Sequence, residues 1–306
     1  MTIPPIAFAY LLALALMWGS SYAFIKLMVE TIPPLIGTTM RMGLATLILG
    51  VVLVVIGGRL PRDRATVLKL FLIGTIGSAV PFTLIAFATE RIPATSAAIL
   101  MGSAPAITML LAHFTTRDDR LSVNKLAGLL IGFLGIAVLF GPAALSGIGD
   151  SLWGMLAVIA GATLYACTNV LARTLRGVTP VAAGTAAFVG ATLVLVPAAF
   201  IFEDPVGLAR AGNISTASWV ALAFLTIFSS ALANVIFYRL VALAGSTFSS
   251  FNNYLSPPIG VIWGVALLGE TVSWNAAAAL VLILTGIATA NFGSLRAMLR
   301  PARVSP

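Results

Sequence analysis

Charged side chains are scarce in this sequence. Only 8% of the 306 residues are Asp, Glu, Lys or Arg, 60% are hydrophobic, and the mean hydropathy is +1.08. A soluble domain contains about 25% charged residues, so the composition excludes an ordinary soluble protein and predicts an integral membrane protein. The hydrophobic residues form long continuous runs, which favour membrane-spanning helices over a lipid-facing β-barrel.

Cysteine and histidine are nearly absent as well. Cys167 is the only cysteine, so the chain forms no intrachain disulfide, and a buried thiol is the simplest interpretation. His113 is the only histidine, and we expect a structural hydrogen-bond donor there rather than a proton relay. The sequence shows no cluster of metal ligands, no catalytic triad and no phosphate-binding glycine loop, so we expect no metal, no cofactor and no enzymatic activity.

The hydrophobic runs have the length, about 20 residues, that a helix needs to cross a bilayer. The first run lacks the positively charged start of a secretory signal, so we expect it to be retained as a span. Short connections join the runs and leave no room for a separate soluble domain. We predict ten spans, at 6–27, 34–56, 67–88, 93–115, 123–141, 152–172, 180–201, 217–239, 247–268 and 273–293.

Lysine and arginine are distributed unevenly over the two sides of the predicted bundle. The side opposite the N-terminus carries only Lys26, Arg91 and Arg210. By the positive-inside rule both termini are cytoplasmic and the number of spans is even, which fits a multi-pass protein of a bacterial inner membrane. The net charge of +8 therefore reflects topology, and we expect no nucleic-acid partner. The basic residues on the N-terminal side are Arg59, Arg62, Arg64, Lys69, Arg117, Arg120, Lys125, Arg173, Arg176, Arg239, Arg296, Arg300 and Arg303.

The second half of the sequence repeats the first. A shift of about 151 residues aligns Asp119 with Glu270, and one residue of slippage pairs Pro105 with Pro257. Each half contains five spans. Because five is odd, the second half enters the membrane from the opposite side, so residues 1–146 and 147–306 are predicted to form an inverted repeat, an arrangement that builds transporters with a central site.

Three short motifs add a family resemblance that covers nearly the whole chain. They are WGSSYAFIK in the first span, AxxxxxxAP in the fourth and LGE at the end of the ninth. With the two five-span halves, they resemble the EamA-type members of the drug/metabolite transporter superfamily, and most of all bacterial exporters of amino acids, including aromatic ones. The resemblance implies a basket in which spans one to four and six to nine surround a central cavity, with spans five and ten outside. One departure is that Asp118 and Asp119 stand where the symmetry with Glu270 would place a glutamate.

Aromatic and amide side chains occur deep within the predicted spans. Tryptophan and tyrosine are common at membrane interfaces. Trp18 and Tyr165 lie roughly a dozen residues into their spans, which favours a position on a cavity wall over one at the interface. Adjacent amides on a helix point about 100° apart, so Asn252 and Asn253 cannot both face lipid. Either the cavity or interhelical hydrogen bonds would satisfy them. The candidate substrate-binding residues are Trp18, Ser21, Tyr22, Arg41, Phe82, Met101, Tyr165, Asn169, Asn234, Tyr238, Asn252, Asn253 and Trp263.

Arg41 is the one charged residue predicted to lie well inside a span. A charge there is costly unless it faces a cavity or a partner. It either binds a substrate carboxylate or is a structural residue that pairs with carbonyl groups or extends to the membrane surface.

Prolines occur at matching places in the two halves. Pro105, Pro257 and Pro258 each leave a carbonyl oxygen one turn earlier without its helical donor. These positions are predicted to be either flexing points for gating or static bends.

Small residues mark the fifth and tenth spans. Gly128, Gly132 and Gly135 in one, and Ala276–Ala279 with Gly286 in the other, give surfaces on which helices pack closely. We predict a packing scaffold or a dimer contact there, in a protein that is a monomer or a weak dimer surrounded by membrane lipid.

The predicted function follows from what the spans contain. All nine acidic residues lie in loops or at span ends, whereas a proton-coupled carrier usually keeps a carboxylate along its path. We therefore predict a facilitator that exports neutral amino acids, aromatic ones included, by alternating access. A drug or nucleotide-sugar carrier of the same fold, a proton-coupled antiporter, and a non-transporting receptor or enzyme are the competing hypotheses.

Overall fold

The computed structural model describes residues 4–115, 122–145, 149–172, 174–175 and 177–292, without the side chains of residues 142–145, 238, 246 and 247. All regular secondary structure in these residues is helical. A short helix, Pro205–Ala211, separates the seventh and eighth long helices. The long helices are α1 (Pro5–Val29), α2 (Pro34–Val55), α3 (Arg64–Thr89), α4 (Ala94–Thr115), α5 (Val123–Leu145), α6 (Asp150–Ala172), α7 (Pro180–Phe202), α8 (Thr216–Gly245), α9 (Asn252–Leu268) and α10 (Trp274–Ala290).

Three of the long helices contain irregular turns. α3 has a π-helical turn at Thr75–Ala79, and α8 has a longer one at Leu225–Leu232. α4 is interrupted between its two parts, Ala94–Met101 and Ala104–Thr115. Pro105 lies just after this interruption, as expected for a residue that lacks the N–H needed to continue the preceding turn.

Eight helices, α1 to α8, are long and apolar enough to cross a membrane within the described residues. α9 and α10 are shorter, with 17 residues each. The ninth segment differs from its predicted bounds, 247–268, because turns at Ser250 and Phe251 delay the start of the helix to Asn252. Asn252 and Asn253 therefore lie in the first turn of α9 rather than more than a turn inside it.

The end of α8 also differs from the predicted span 217–239. The helix continues to Gly245, where φ is 82° and ψ is 166°, and one further turn reaches Ser249. A left-handed φ of this kind is accessible mainly to glycine. Gly245 thus provides the kink that redirects the chain toward α9.

Local sequence explains several helix starts. Pro34 begins α2 directly behind Pro33, at a position where the missing N–H has no helical partner anyway. Asp63 caps α3 by accepting a hydrogen bond from the Thr66 N–H at 2.8 Å. That bond holds the pKa of the Asp63 carboxyl below its usual value.

α5 and α10 pack against each other along their small-residue faces. A methyl group added at Gly128 would lie 2.4 Å from the Gly286 carbonyl oxygen, and one added at Gly286 would lie 2.5 Å from that of Gly128. Only residues without side chains allow this approach. The small-residue faces of α5 and α10 are therefore buried against each other within one chain. A dimer contact through these helices would have to use the opposite faces.

The contacts among the other eight helices are symmetric between the two halves of the chain. α1 packs on α8 and α9, while α6 packs on α3 and α4. α2 packs on α7, and α4 packs on α9. Exchanging α1 with α6, α3 with α8, and α4 with α9 leaves this set of pairings unchanged.

Short connections make consecutive helices alternate in direction, so the bundle has two chemically different ends. The "basic end" carries the α2–α3 connection with Arg59 and Arg62. The "acidic end" carries Glu90, Glu203 and Glu270, each just beyond the last residue of α3, α7 or α9.

Candidate functional site

A cavity of about 350 Å³ lies among α1–α4 and α6–α9. Among the described residues, α5 and α10 contribute nothing to its lining. This is the arrangement that the family resemblance implies for a central cavity. The volume lies within the range of roughly 300–1,000 Å³ that is usual for small-molecule sites.

The cavity extends toward the basic end of the bundle. At that end its lining reaches Leu175, which lies in the connection beyond the last residue of α6. At the acidic end the lining stops at Ile25 and Ile85, each a full turn before its helix ends. A ligand would therefore enter between α3, α6 and α7 from the basic end.

Side-chain hydrogen bonds hold the acidic end together. The Glu203 carboxylate accepts from the N–H groups of Leu35 and Ile36, at 3.1 and 2.7 Å, at the start of α2. The Glu270 carboxylate accepts from those of Ala94 and Thr95, at 2.7 and 2.9 Å, at the start of α4. Carboxylates are favourable at helix N-termini because they satisfy otherwise unpaired donors.

Lys26 adds a third connection at the acidic end. Its ammonium group donates to the carbonyl oxygens of Thr89 and Ile92, both at 3.0 Å, where α3 ends. Together with Glu203 and Glu270, this side chain joins α1, α2, α3, α4, α7 and α9 at one end of the bundle, beyond the end of the cavity.

Aromatic rings dominate the cavity wall. Trp18 and Tyr22 of α1 lie one turn apart, and Phe82 and Tyr165 face the same cavity from α3 and α6. The Trp18 ring packs on Phe237 of α8 with its centroid 5.5 Å away. The wall thus offers flat apolar surfaces suited to a partly apolar ligand.

The π-helical turn of α8 supplies the polar contacts around Trp18. The indole Nε1 donates to the Ser229 carbonyl oxygen at 3.1 Å. The Ser229 hydroxyl lies 2.7 Å from that of Ser21 and donates to the Met17 carbonyl at 2.8 Å. π-helical turns occur frequently at functional sites because they redirect side chains and backbone groups locally.

Arg41 reaches the cavity from α2. Only 4% of the residue is exposed. Its Nε donates to the Ser230 hydroxyl at 2.8 Å, and its guanidinium carbon lies 4.6 Å from the centre of the Phe82 ring. The cationic group is therefore held in a fixed position on the cavity wall.

The amides face the cavity from three helices: Asn169 from α6, Asn234 from α8, and Asn252 and Asn253 from α9. Asn234 donates to the Ser230 carbonyl at 2.6 Å, which is a bond within its own helix. The Asn252 amide oxygen is buried and has no hydrogen-bond partner among the described residues.

Not every predicted residue lies on the cavity. Trp263 packs on Phe24 instead, with ring centroids 5.9 Å apart, because it lies about three turns beyond Asn252 toward the closed acidic end. Pro258 is not on the cavity wall either, and the side chain of Tyr238 lies outside the described residues. The predicted residues on the wall are Trp18, Ser21, Tyr22, Arg41, Phe82, Met101, Pro105, Tyr165, Asn169, Asn234, Asn252, Asn253 and Pro257.

Sequence reasoning missed the small hydroxyl residues of the wall, above all Ser229 and Ser230. Two consecutive serines inside an apolar run are a visible signal. Adjacent residues of an α-helix point about 100° apart, so periodicity alone does not assign both serines to the cavity. Both lie in the π-helical turn Leu225–Leu232 of α8. The other missed polar residues of the wall are Ser78, Thr168 and Ser256.

Comparison with known proteins shows similarity to membrane transporters. The model of the EamA-like transporter family matches this chain twice, at residues 5–141 and 152–292. The uncharacterized inner membrane transporter YedA of Escherichia coli is 27% identical over 268 residues, which cover 87% of this chain and 84% of YedA. The uncharacterized transporter YyaM of Bacillus subtilis is 23% identical, with 92% of each chain covered.

A further transporter and one solved structure are also similar to this chain. An S-adenosylmethionine/S-adenosylhomocysteine transporter of Chlamydia trachomatis is 24% identical, covering 84% of this chain and 80% of that protein. One solved crystal structure has a TM-score of 0.65 at 21% identity, covering 95% of this chain and 98% of its own, so the two share a fold. With the apolar helices, these matches identify a multi-pass membrane protein.

Proposed function

Since this chain belongs to the EamA-like transporter family, whose members are transporters and not enzymes, we propose that it exports neutral amino acids, aromatic ones included. The observation that carries the proposal is the central cavity. Its wall combines aromatic rings with amides, serine hydroxyls and the single cationic side chain of Arg41 among the described residues. Such a wall suits a small ligand with an apolar or aromatic body and a polar end.

The proposed architecture is ten spans in two inverted five-helix repeats. Two matches of one family model to residues 5–141 and 152–292 support it. The symmetric helix pairings and the π-helical turns in both α3 and α8 also support it. In this architecture α9 and α10 are spans despite their length of 17 residues, which lies at the lower limit for crossing a bilayer.

The proposed orientation places the basic end in the cytoplasm. The excess of arginine and lysine there supports this under the positive-inside rule. A cavity that reaches the basic end and is closed at the acidic end then corresponds to an inward-facing state. That state accepts cytoplasmic substrate for export, and alternating access would require the contacts of Glu203, Glu270 and Lys26 to separate.

A facilitated mechanism is the simplest energetic proposal. None of the described cavity-lining residues is acidic, so no carboxylate among them is placed to carry a proton along the path. Substrate would move down its own gradient. A proton-coupled antiporter would instead need a proton-binding side chain outside the cavity wall.

A larger metabolite with an amino-acid end is the second candidate substrate. The similarity to the S-adenosylmethionine/S-adenosylhomocysteine transporter favours such a metabolite over a drug or a nucleotide sugar. A nucleotide sugar is also less suitable chemically, because its phosphates would need several cationic partners and the described wall has only Arg41.

Counterflow in proteoliposomes tests the proposal directly. Vesicles loaded with unlabelled phenylalanine, leucine or threonine should accumulate the same labelled amino acid transiently. Vesicles loaded with S-adenosylhomocysteine serve as the second arm, and vesicles without protein as the control. Absence of counterflow for every amino acid, with correctly inserted protein, would overturn the amino-acid proposal.

A further inference from the structure

Arg41 is a buried cation without an anionic partner among the described residues. It is 4% exposed, and the structure records one hydrogen bond from its side chain, from Nε to the Ser230 hydroxyl. The only ion pair in the described part of the chain joins Arg91 to Glu90. Burying a charge is unfavourable unless it is paired or well hydrogen-bonded, so the guanidinium group needs further acceptors.

The described residues offer no carboxylate for this role. Glu203 and Glu270 are occupied by the backbone donors of α2 and α4. The other described acidic residues, Glu30, Asp63, Glu90, Asp150 and Asp204, lie at or beyond helix ends. The missing acceptors therefore have to come from the contents of the cavity, either water or the ligand itself.

A second set of unpartnered groups lies on α9. The Asn252 amide oxygen and the Ser256 hydroxyl are both buried without a hydrogen-bond partner among the described residues. Asn252 and Ser256 are four positions apart, so they share one face of the helix, and both residues line the cavity. Asn252 is 4% exposed. Two oxygen atoms that can accept hydrogen bonds are thus held together on a different helix from Arg41.

Arg41, Asn252 and Ser256 all belong to the lining of one cavity, and a ligand with charges of both signs would supply partners for the cation and for the two acceptors. We propose that Arg41 binds the carboxylate of the ligand, while the Asn252 amide oxygen and the Ser256 hydroxyl accept hydrogen bonds from its ammonium group. This rests on the proposed function and deepens it, because it makes the α-amino acid zwitterion the part of the substrate that is recognised. The side chain is then left to the aromatic part of the wall.

Phe82 and Ser230 act as positioning residues in this arrangement. The Phe82 ring, 4.6 Å from the guanidinium carbon, stabilises the cation on one face, and the Ser230 hydroxyl occupies Nε. The two terminal nitrogens of Arg41 are left for the ligand. Two parallel N–H groups match the two oxygens of one carboxylate.

Three ligands that differ only in their charged groups test the assignment on the unaltered protein. Isothermal titration calorimetry in detergent should show binding of L-phenylalanine. Phenylalaninamide, which lacks the carboxylate, and 3-phenylpropionate, which lacks the ammonium group, should each bind about ten- to a hundredfold more weakly, the range expected for losing hydrogen bonds between charged groups. Equal affinity for all three would overturn the inference.

Variants then assign each end of the ligand. Arg41→Gln should weaken phenylalanine binding by roughly ten- to a hundredfold and leave phenylalaninamide unchanged. Ser256→Ala should weaken phenylalanine and phenylalaninamide but not 3-phenylpropionate. Arg62→Gln, which removes an exposed cation at the basic end, is the matched control and should leave all three affinities unchanged.

The outcomes separate this inference from the proposed function. Phenylalanine binding and counterflow that survive Arg41→Gln unchanged would reject the carboxylate site while leaving amino-acid export intact. Failure of the unaltered protein to bind or exchange any amino acid would reject both. If Arg41→Gln does not fold, Arg41→Lys keeps the charge but loses the paired donors, and it should bind phenylalanine at an intermediate affinity.

Discussion

The indole N–H of Trp18 donates to the carbonyl oxygen of Ser229, 211 residues away in sequence. This bond joins the centre of α1 to the π-helical turn of α8. It satisfies the polar edge of the ring, so that the apolar face is available to Phe237 and to the cavity. A tryptophan held in this way is a rigid surface for an incoming ring.

Substrate selectivity should depend on this surface. Replacing Trp18 or Tyr165 with Ala should weaken transport of phenylalanine more than transport of threonine, by roughly two- to tenfold, because one aromatic pair contributes about 0.5–1.5 kcal/mol. Initial rates of counterflow at several concentrations would measure this. Trp18→Phe keeps a ring and should retain most of the selectivity. Equal losses for both substrates at normal protein abundance would assign these rings to packing alone.

Proton gradients should not drive transport. Because none of the described wall residues is acidic, a pH gradient across proteoliposomes, with the membrane potential clamped, should give no accumulation of phenylalanine above equilibrium. Accumulation that collapses on adding a protonophore would contradict the facilitated mechanism.

Thiol labelling should place both ends of the chain on the cytoplasmic side. In a Cys167→Ser background, Arg62→Cys and Arg300→Cys should react with a membrane-impermeant maleimide only after the cells are opened. Arg210→Cys, on the other side of the predicted topology, is the control and should react in intact cells. Labelling of Arg62→Cys from outside would overturn the proposed orientation.

The carboxylate of Glu270 should stabilise the closed acidic end. Glu270→Gln leaves one oxygen for the two donors of Ala94 and Thr95, and we expect a loss of about 1–3 kcal/mol. A Met101→Cys reporter inside the cavity, in the Cys167→Ser background, should then react faster with an impermeant reagent from outside. Asp204→Asn, which affects the cap of a short exposed helix at the same end, should leave this rate unchanged. A Glu270→Gln protein that labels no faster would show that other contacts keep this end closed.

The contact between α5 and α10 should be sensitive to single methyl groups. In Gly128→Ala the new methyl group would lie 2.4 Å from the Gly286 carbonyl oxygen, so the helices must separate, at a cost of about 1–3 kcal/mol. Gly132→Ala is the matched control, since its nearest contact would be the Ala106 methyl group at 3.9 Å. Thermal unfolding in detergent should show a lower midpoint for the first variant only. Equal midpoints would mean that the contact contributes little to stability.

Most of the helices could be predicted from the sequence because a segment that crosses lipid must be both apolar and helical. Long apolar runs predicted the helices, and the depth of Trp18 and Tyr165 within those runs placed both on the cavity. Trp263 lies away from this cavity because helical periodicity defines a face of the helix but not how far along the helix the cavity extends. Ser229 and Ser230 were missed because serine is common in apolar helices, and no residue pattern marks the π-helical turn in which they lie. The later start of α9 results from the turns at Ser250 and Phe251, which the apolar pattern of the sequence does not indicate. Whether the residues on the wall bind substrate stays a prediction.

The pairing of α5 with α10 has a consequence for how the protein is made. The ribosome completes α5 at Leu145, but its partner helix begins only at Trp274. At synthesis rates of roughly 5–20 residues per second, on the order of ten seconds pass between the two. During that time the glycine face of α5 has no native partner, and only lipid or the insertion machinery can cover it. The contact between α5 and α10 therefore cannot form until α10 has been synthesised, and a chain shortened before α10 would leave the glycine face of α5 without this partner.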